Sequence, residues 1–75
     1  MKLSNIKVRE RVKIIKINLP KKIKDRLSVL GFIEGVIVEV IRYAPLKDPM
    51  LIKLRNFYLA IRLSLADKIS VEFYE

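Results

Sequence analysis

A connector with two prolines, residues 42–49 (Arg-Tyr-Ala-Pro-Leu-Lys-Asp-Pro), separates two apolar, strand-like runs and most constrains the fold. Pro45 and Pro49 lack an N–H and fix φ, so neither suits a central strand. The residues before them are kept out of the helical region. The sequence therefore predicts two strands joined by a rigid turn, which we call the proline connector. Two roles stay open for it: a fixed turn whose leucine fills the core, or a stiff, partly apolar contact surface.

The chain has 75 residues, enough for a single domain (1–75) with one modest core. Sixteen Lys and Arg against eight Asp and Glu give a net charge of +8. This charge favours acidic partners, which are nucleic acid, anionic lipid headgroups or an acidic protein face. The alternative is an ordinary lysine-rich, solvated surface.

The composition contains no cysteine and no histidine. Disulfides, thiolate or imidazole metal sites and the usual general base are therefore excluded. Only Asp25, Asp48, Asp67 and the glutamates could ligate iron, and none are paired at short spacing. We predict a chain that is not an enzyme, takes no cofactor and holds no tight metal site.

No apolar run approaches the roughly 18 residues that a membrane span needs. The N-terminal residues also lack the apolar core of a signal peptide. We therefore expect a cytoplasmic protein without a membrane span, although a peripheral contact with a membrane stays open.

Five segments have the density of β-branched and apolar residues that is typical of strands: 11–17, 36–43, 50–55, 57–63 and 69–73. The imperfect alternation of the first is interpreted as burial on both faces. In the second, Arg42 has the parity of the apolar row and is expected where that row reaches solvent. Asn56 tolerates positive φ and is predicted to turn the hairpin between the third and fourth. In the last, Phe73 is expected to share the inward row.

A helix is predicted from Lys21 to about Leu30, with Gly31 as its C-terminal cap. Its basic face is open to two interpretations, a solvated side or a contact with nucleic acid or a membrane. Phe32 and Ile33 are expected to plug the barrel mouth before Gly35 starts the next strand.

Residues 63–68 are predicted to form one helical turn, capped by Ser64. In total, the pattern predicts a small, mostly antiparallel β-barrel with one helix between the first and second strands.

Three stretches carry a resemblance to a known family. They are residues 26–35 (Arg-Leu-Ser-Val-Leu-Gly-Phe-Ile-Glu-Gly), the Ala-Pro-Leu-Lys-Asp-Pro of the connector, and Leu-Ala-Ile-Arg at 59–62 with the closing strand. At this spacing the chain resembles the ferrous iron transport protein A (FeoA) family from about residue 3 to residue 71. The resemblance implies an SH3-like barrel of about five strands. Lys47 and Asn56 stand where the family often has glycine.

The resemblance further implies a small accessory of ferrous iron uptake. It would dock on the cytoplasmic GTP-binding part or the membrane part of the FeoB transporter and modulate iron transport. The expected partner-binding residues are Arg42, Tyr43, Pro45, Leu46, Asp48, Pro49 and Arg62.

In this hypothesis the prolines hold the loop rigid, Tyr43 and Leu46 supply apolar anchor area, and the cations meet acidic groups. Asp48 has an alternative role, which is to cap the turn by accepting a hydrogen bond from a backbone N–H. The alternative functions are a basic small barrel that binds nucleic acid and an iron-dependent regulatory domain.

Overall fold

The strand-like runs form five antiparallel strands in the computed structural model, which describes residues 1–74. The elements are a 3-10 turn at Leu3–Asn5, β1 Arg11–Ile17, α1 Lys21–Val29, β2 Ile37–Tyr43, β3 Met50–Leu54, β4 Phe57–Ile61, α2 Leu63–Ala66 and β5 Ile69–Phe73. The predicted mostly β fold, with one helix between the first two strands, is confirmed.

The strands lie in the order β4-β3-β2-β1-β5, so the first strand of the chain separates the second from the last. The curled sheet buries sixteen apolar side chains between its strands and the helical turns. Phe32, Ile14 and Ile52 are among the side chains with no exposed surface. No polar or charged side chain of residues 1–74 is buried. The interior is therefore held by apolar packing alone.

Two β-bulges decide which side chains face this interior. In β1 the pairing with β5 shifts between Ile14 and Lys16, which leaves Ile15 as the extra residue. Val12, Ile14 and Ile17 are consequently the buried residues of the strand. The imperfect alternation in the sequence therefore reflects a bulge, and its interpretation as burial on both faces is wrong.

The second bulge lies in β2, where the pairing with β3 shifts between Val40 and Arg42. Val38 and Val40 are buried, but after the bulge Tyr43 packs against the core and Arg42 is exposed. Arg42 does reach solvent, yet the expectation that it continues the row of Val40 is wrong. The extra residue exchanges the directions of the two side chains that follow it.

A Schellman motif ends α1. The Gly31 N–H donates to the Ser28 carbonyl at 2.9 Å and the Phe32 N–H donates to the Leu27 carbonyl at 3.0 Å. Gly31 has φ of +89°, as the predicted cap requires. Phe32 is fully buried as expected, whereas Ile33 is 44% exposed and does not plug the barrel. The chain reverses direction at Gly31, so the Phe32 side chain points into the core and the Ile33 side chain points toward solvent.

Two smaller expectations also need correction. In the two-residue turn between β3 and β4, Arg55 has the positive φ, 54°, rather than Asn56. Phe73 is 52% exposed and does not continue the inward row of Ile69 and Val71. Gly35, by contrast, has φ of +95° at the turn before β2, where glycine is expected.

Gly31→Ala should lower the free energy of unfolding by about 1 kcal/mol, because a Cβ is strained at positive φ. An added Cβ would meet no atom within 4 Å, so the cost comes from the backbone alone. Urea denaturation measures it. Gly31→Asn is the control, and it should cost less because asparagine tolerates the left-handed conformation. Equal stabilities of the glycine and alanine proteins would contradict the assignment of strain.

Candidate partner-binding surface

The proline connector joins β2 to β3 as a tight, hydrogen-bonded loop. The Ala44 N–H donates to the Pro49 carbonyl at 3.0 Å, and the Lys47 N–H donates back to the Ala44 carbonyl at 2.6 Å. Lys47 has φ of +71°, a left-handed conformation that glycine adopts most easily. Leu46 lies at the tip and is 90% exposed. The interpretation of this leucine as a core plug is therefore wrong, and the contact-surface alternative remains.

Tyr43 fixes the N-terminal side of the connector. Its hydroxyl donates a short hydrogen bond to the Ile6 carbonyl, and the Ser4 carbonyl lies 3.3 Å from the same oxygen. The ring packs against the core, and burial raises the pKa of the Tyr43 phenol above its usual 10.0. Tyr43 therefore acts mainly as a brace between β2 and the N-terminal segment, with only part of its ring left as contact area.

Asp48 fixes the C-terminal side of the connector. Its Oδ1 accepts a hydrogen bond of 3.0 Å from the Leu63 N–H, the first amide of α2. This bond satisfies one of the donors that every helix start leaves unpaired. The predicted cap, Ser64, makes no such bond, and the N-cap residue Arg62 makes no side-chain cap either. Asp48 thus takes the alternative role foreseen for it, but it caps a segment fifteen residues away.

The cap brings Arg62 beside the connector, because Arg62 precedes Leu63 in the chain. The pairing of Met50 with Ile61 holds the same two segments together through the sheet. Besides the capping residue Asp48, six residues of this face are exposed: Arg42, Pro45, Leu46, Lys47, Pro49 and Arg62. We call them the connector surface.

The charge of the connector surface is unbalanced. The ion pairs within residues 1–74 join Lys21 to Asp25 and Lys24 to Glu34, so the three cations of the surface have no acidic partner there. A shallow cavity of about 330 Å³ adjoins the surface and is lined by Ser4, Tyr43, Lys47 and Leu63. An exposed leucine beside a cavity and three cations is suited to a protein face with apolar and acidic groups.

Not every predicted site residue belongs here. Gly31 and Gly35 precede β2 and Asn56 lies in the β3–β4 turn, so these three shape other turns. Sequence reasoning missed Ser4 and Leu63, because their contacts with the connector span 39 and 15 residues and leave no local signal. The part of the chain that the structure describes holds no group of three or more Asp or Glu side chains placed to hold a metal ion. In that part, no helix is long and apolar enough to cross a membrane.

Asp48→Ala should lower the free energy of unfolding by about 1 kcal/mol, because the first amide of α2 loses its acceptor. Urea denaturation followed by circular dichroism measures the loss. Ser64→Ala is the matched control and should be nearly neutral. If the serine substitution costs as much as the aspartate substitution, the helix is capped differently from this structure.

Tyr43→Phe should lower the free energy of unfolding by about 1 kcal/mol at neutral pH, because the Ile6 carbonyl loses its hydroxyl donor. The folded protein holds the phenolic proton more tightly than the unfolded chain, since the pKa is raised above 10.0. The contribution is therefore complete below pH 10 and is lost as the pH rises through the folded pKa. Urea denaturation at pH 7 and above pH 10 measures this. The difference in free energy of unfolding between wild type and Tyr43→Phe should be smaller at the higher pH. A difference that grows at alkaline pH would contradict the stated burial.

The comparisons with known proteins agree with this architecture. The chain matches the family model described as FeoA domain over residues 1–73. The solution structure of FeoA from Chlorobium tepidum is 31% identical, with a TM-score of 0.95 over 100% of this chain and 71% of that one. The zinc complex of FeoA from Stenotrophomonas maltophilia, described as a prokaryotic SH3 domain protein, is 26% identical, with a TM-score of 0.79 over 96% of this chain and 89% of that one.

A curated relative is much longer. The Fe(2+) transport protein A/Fe(2+) transporter FeoB fusion protein of Porphyromonas gingivalis is 28% identical over 72 residues. These residues are 96% of this chain and only 8% of the fusion protein. The family model covers nearly all of the chain, and the fold is the SH3-like barrel of the solved structures. The chain therefore belongs to the FeoA domain family.

Proposed function

We propose that this chain is an accessory of ferrous iron uptake that docks through its connector surface on the cytoplasmic part of a FeoB-type transporter and modulates iron transport. The observation that carries the docking site is the 90% exposure of Leu46 on a loop that is braced on both sides. A braced loop loses little conformational entropy when a partner covers it, so ordering offsets less of the binding energy that its apolar area contributes.

The choice of partner rests on family membership and on the fused relative. In that relative, one polypeptide contains both the transport protein A part and the FeoB part. Fusion keeps two units at high effective concentration, which is useful when they act together. We extend this association to the present chain, and we propose that it acts in the cytoplasm as a binding domain without catalysis.

The charges define what the partner face should offer. No ion pair within residues 1–74 includes Arg42, Lys47 or Arg62. Acidic groups on the transporter would therefore form ion pairs with them. Exposed charges of this kind set orientation and association rate more than affinity. Leu46 would instead contribute to affinity, as an apolar side chain that the partner removes from water.

Leu46→Asp should weaken binding of the soluble GTP-binding domain of the FeoB transporter from the same organism by at least about tenfold, because a charged side chain replaces the apolar anchor. Amide NMR titration of the labelled chain measures affinity and location together. Shifts should cluster at residues 42–49 and Arg62. Val29→Asp is the matched control, since Val29 is 86% exposed and lies outside the connector surface.

Two results would contradict this proposal. One is unchanged affinity of the Leu46 variant with an intact fold. The other is an equal loss in both variants, which would mean that binding follows overall charge. If the GTP-binding domain causes no shifts, the same pair of variants is tested on the full-length transporter in nanodiscs of pure phosphatidylcholine, where no anionic lipid can attract the chain. Absence of binding there also overturns the proposal.

A further inference from the structure

The C-terminal end of α1 exposes three aliphatic side chains. Val29 is 86% exposed, Leu30 43% and Ile33 44%. Val29 and Leu30 end the helix, and the Schellman motif returns the chain so that Ile33 follows closely. Ile33 shares the lining of a cavity of about 280 Å³ with Lys24 and Ser28 of the same helix. We call Val29, Leu30 and Ile33 the aliphatic tip.

Basic residues of α1 adjoin the aliphatic tip. Helix α1 contains four basic residues and one acidic residue, Lys21, Lys22, Lys24 and Arg26 against Asp25. The acidic groups nearby are already engaged, since Lys21 pairs with Asp25 at 2.9 Å and Lys24 lies 3.6 Å from Glu34.

Lys22 and Arg26 are therefore left without an acidic partner in residues 1–74. They precede Val29 by seven and three residues, which places all three on neighbouring rows of one helix face. We call Lys22 and Arg26 the cationic strip. Together with Val29, the most exposed aliphatic residue of α1, they form one continuous surface.

An exposed valine beside unpaired cations helps to choose among the acidic partners that the net charge of +8 favours. A solvated helix face needs lysines but gains nothing from an exposed valine beside them. A surface for single-stranded nucleic acid combines cations with exposed aromatic rings, and a surface for a duplex uses phosphate-binding cations without need of an exposed valine. The aromatic residue of this region, Phe32, is fully buried. An anionic bilayer uses both features, because its headgroups attract the cations and its acyl boundary takes up the aliphatic side chains.

We propose that the aliphatic tip and the cationic strip of α1 dock on the surface of an anionic lipid bilayer. Each cation that reaches such a surface strengthens binding about fivefold, and the aliphatic side chains add a salt-insensitive part. Neither contribution is sufficient by itself, so binding should require anionic lipid and should weaken when either the cations or Val29 are changed.

The site lies away from the connector surface. The aliphatic tip precedes β2 and the connector follows it, and seven residues of strand span about 20 Å. A chain that rests on a bilayer through α1 therefore leaves its other end free for a protein. This inference does not rest on the proposed function, and either can fail without the other.

Flotation with vesicles tests the proposal directly on the intact chain. Wild-type protein should float with phosphatidylcholine vesicles that contain about one-third phosphatidylglycerol and should stay behind with pure phosphatidylcholine. Val29→Asp and Lys22→Glu should each lower the apparent affinity for these vesicles at least about fivefold, as measured over a series of lipid concentrations. Leu46→Asp, with an equally exposed aliphatic residue at the other end, is the matched control and should bind vesicles like wild type.

Val29→Ser separates lost apolar area from introduced charge, and circular dichroism verifies the fold of each variant. Absence of binding to the anionic vesicles overturns the proposal. Equal vesicle binding by the Val29 and Leu46 variants also overturns it, because the attraction would then follow net charge alone. A short single-stranded RNA is added to the vesicles at equal phosphate concentration. If the RNA displaces the protein and RNA binding is weakened by Val29→Asp as much as vesicle binding is, the ligand is nucleic acid and the lipid assignment is wrong.

Discussion

One extra residue in β2 governs the arrangement of the connector. The bulge between Val40 and Arg42 changes the parity of the strand just before it ends. Without it, Arg42 would face the core and Tyr43 would face solvent. With it, the Tyr43 hydroxyl reaches the Ile6 carbonyl and the Arg42 side chain joins the exposed face. A single backbone irregularity thus places a brace and a surface cation at once.

The bracing explains how an almost fully exposed leucine can have a fixed position. Tyr43 holds the start of the connector to the N-terminal segment, and Asp48 holds its end to the first amide of α2. The two hydrogen bonds join parts of the chain that are distant in sequence, while the loop between them makes its own Ala44 to Pro49 bond. The loop is therefore positioned by three elements, and its tip needs no core contact to be ordered.

Local patterns predicted much of this structure. The strands, the Gly31 cap and the buried Phe32 follow from β-branched density, helix periodicity and the conformational range of glycine. The sequence-based predictions that were wrong depended on contacts between distant segments or on one-residue irregularities. The bulge at Ile15 has no signature in composition. Serine and aspartate are equally good caps, so the position of Ser64 beside the start of α2 favoured it over Asp48, which lies fifteen residues from Leu63. The connector was correctly singled out, but its braces were not, because their partners at Ile6 and Leu63 are chosen by the barrel.

The strand order has a consequence for how the chain folds. Strands β2, β3 and β4 form a meander whose connections are six and two residues long, so their pairing closes short loops. The pairing of β1 with β5 instead joins the first strand to the last, and its closure must await the end of the domain during synthesis. Until then, one side of β1 presents unpaired amides and carbonyls to other chains. The β1–β5 ladder therefore closes the longest loop of the sheet, and the free side of β1 is the edge at which a second copy could add its own β5.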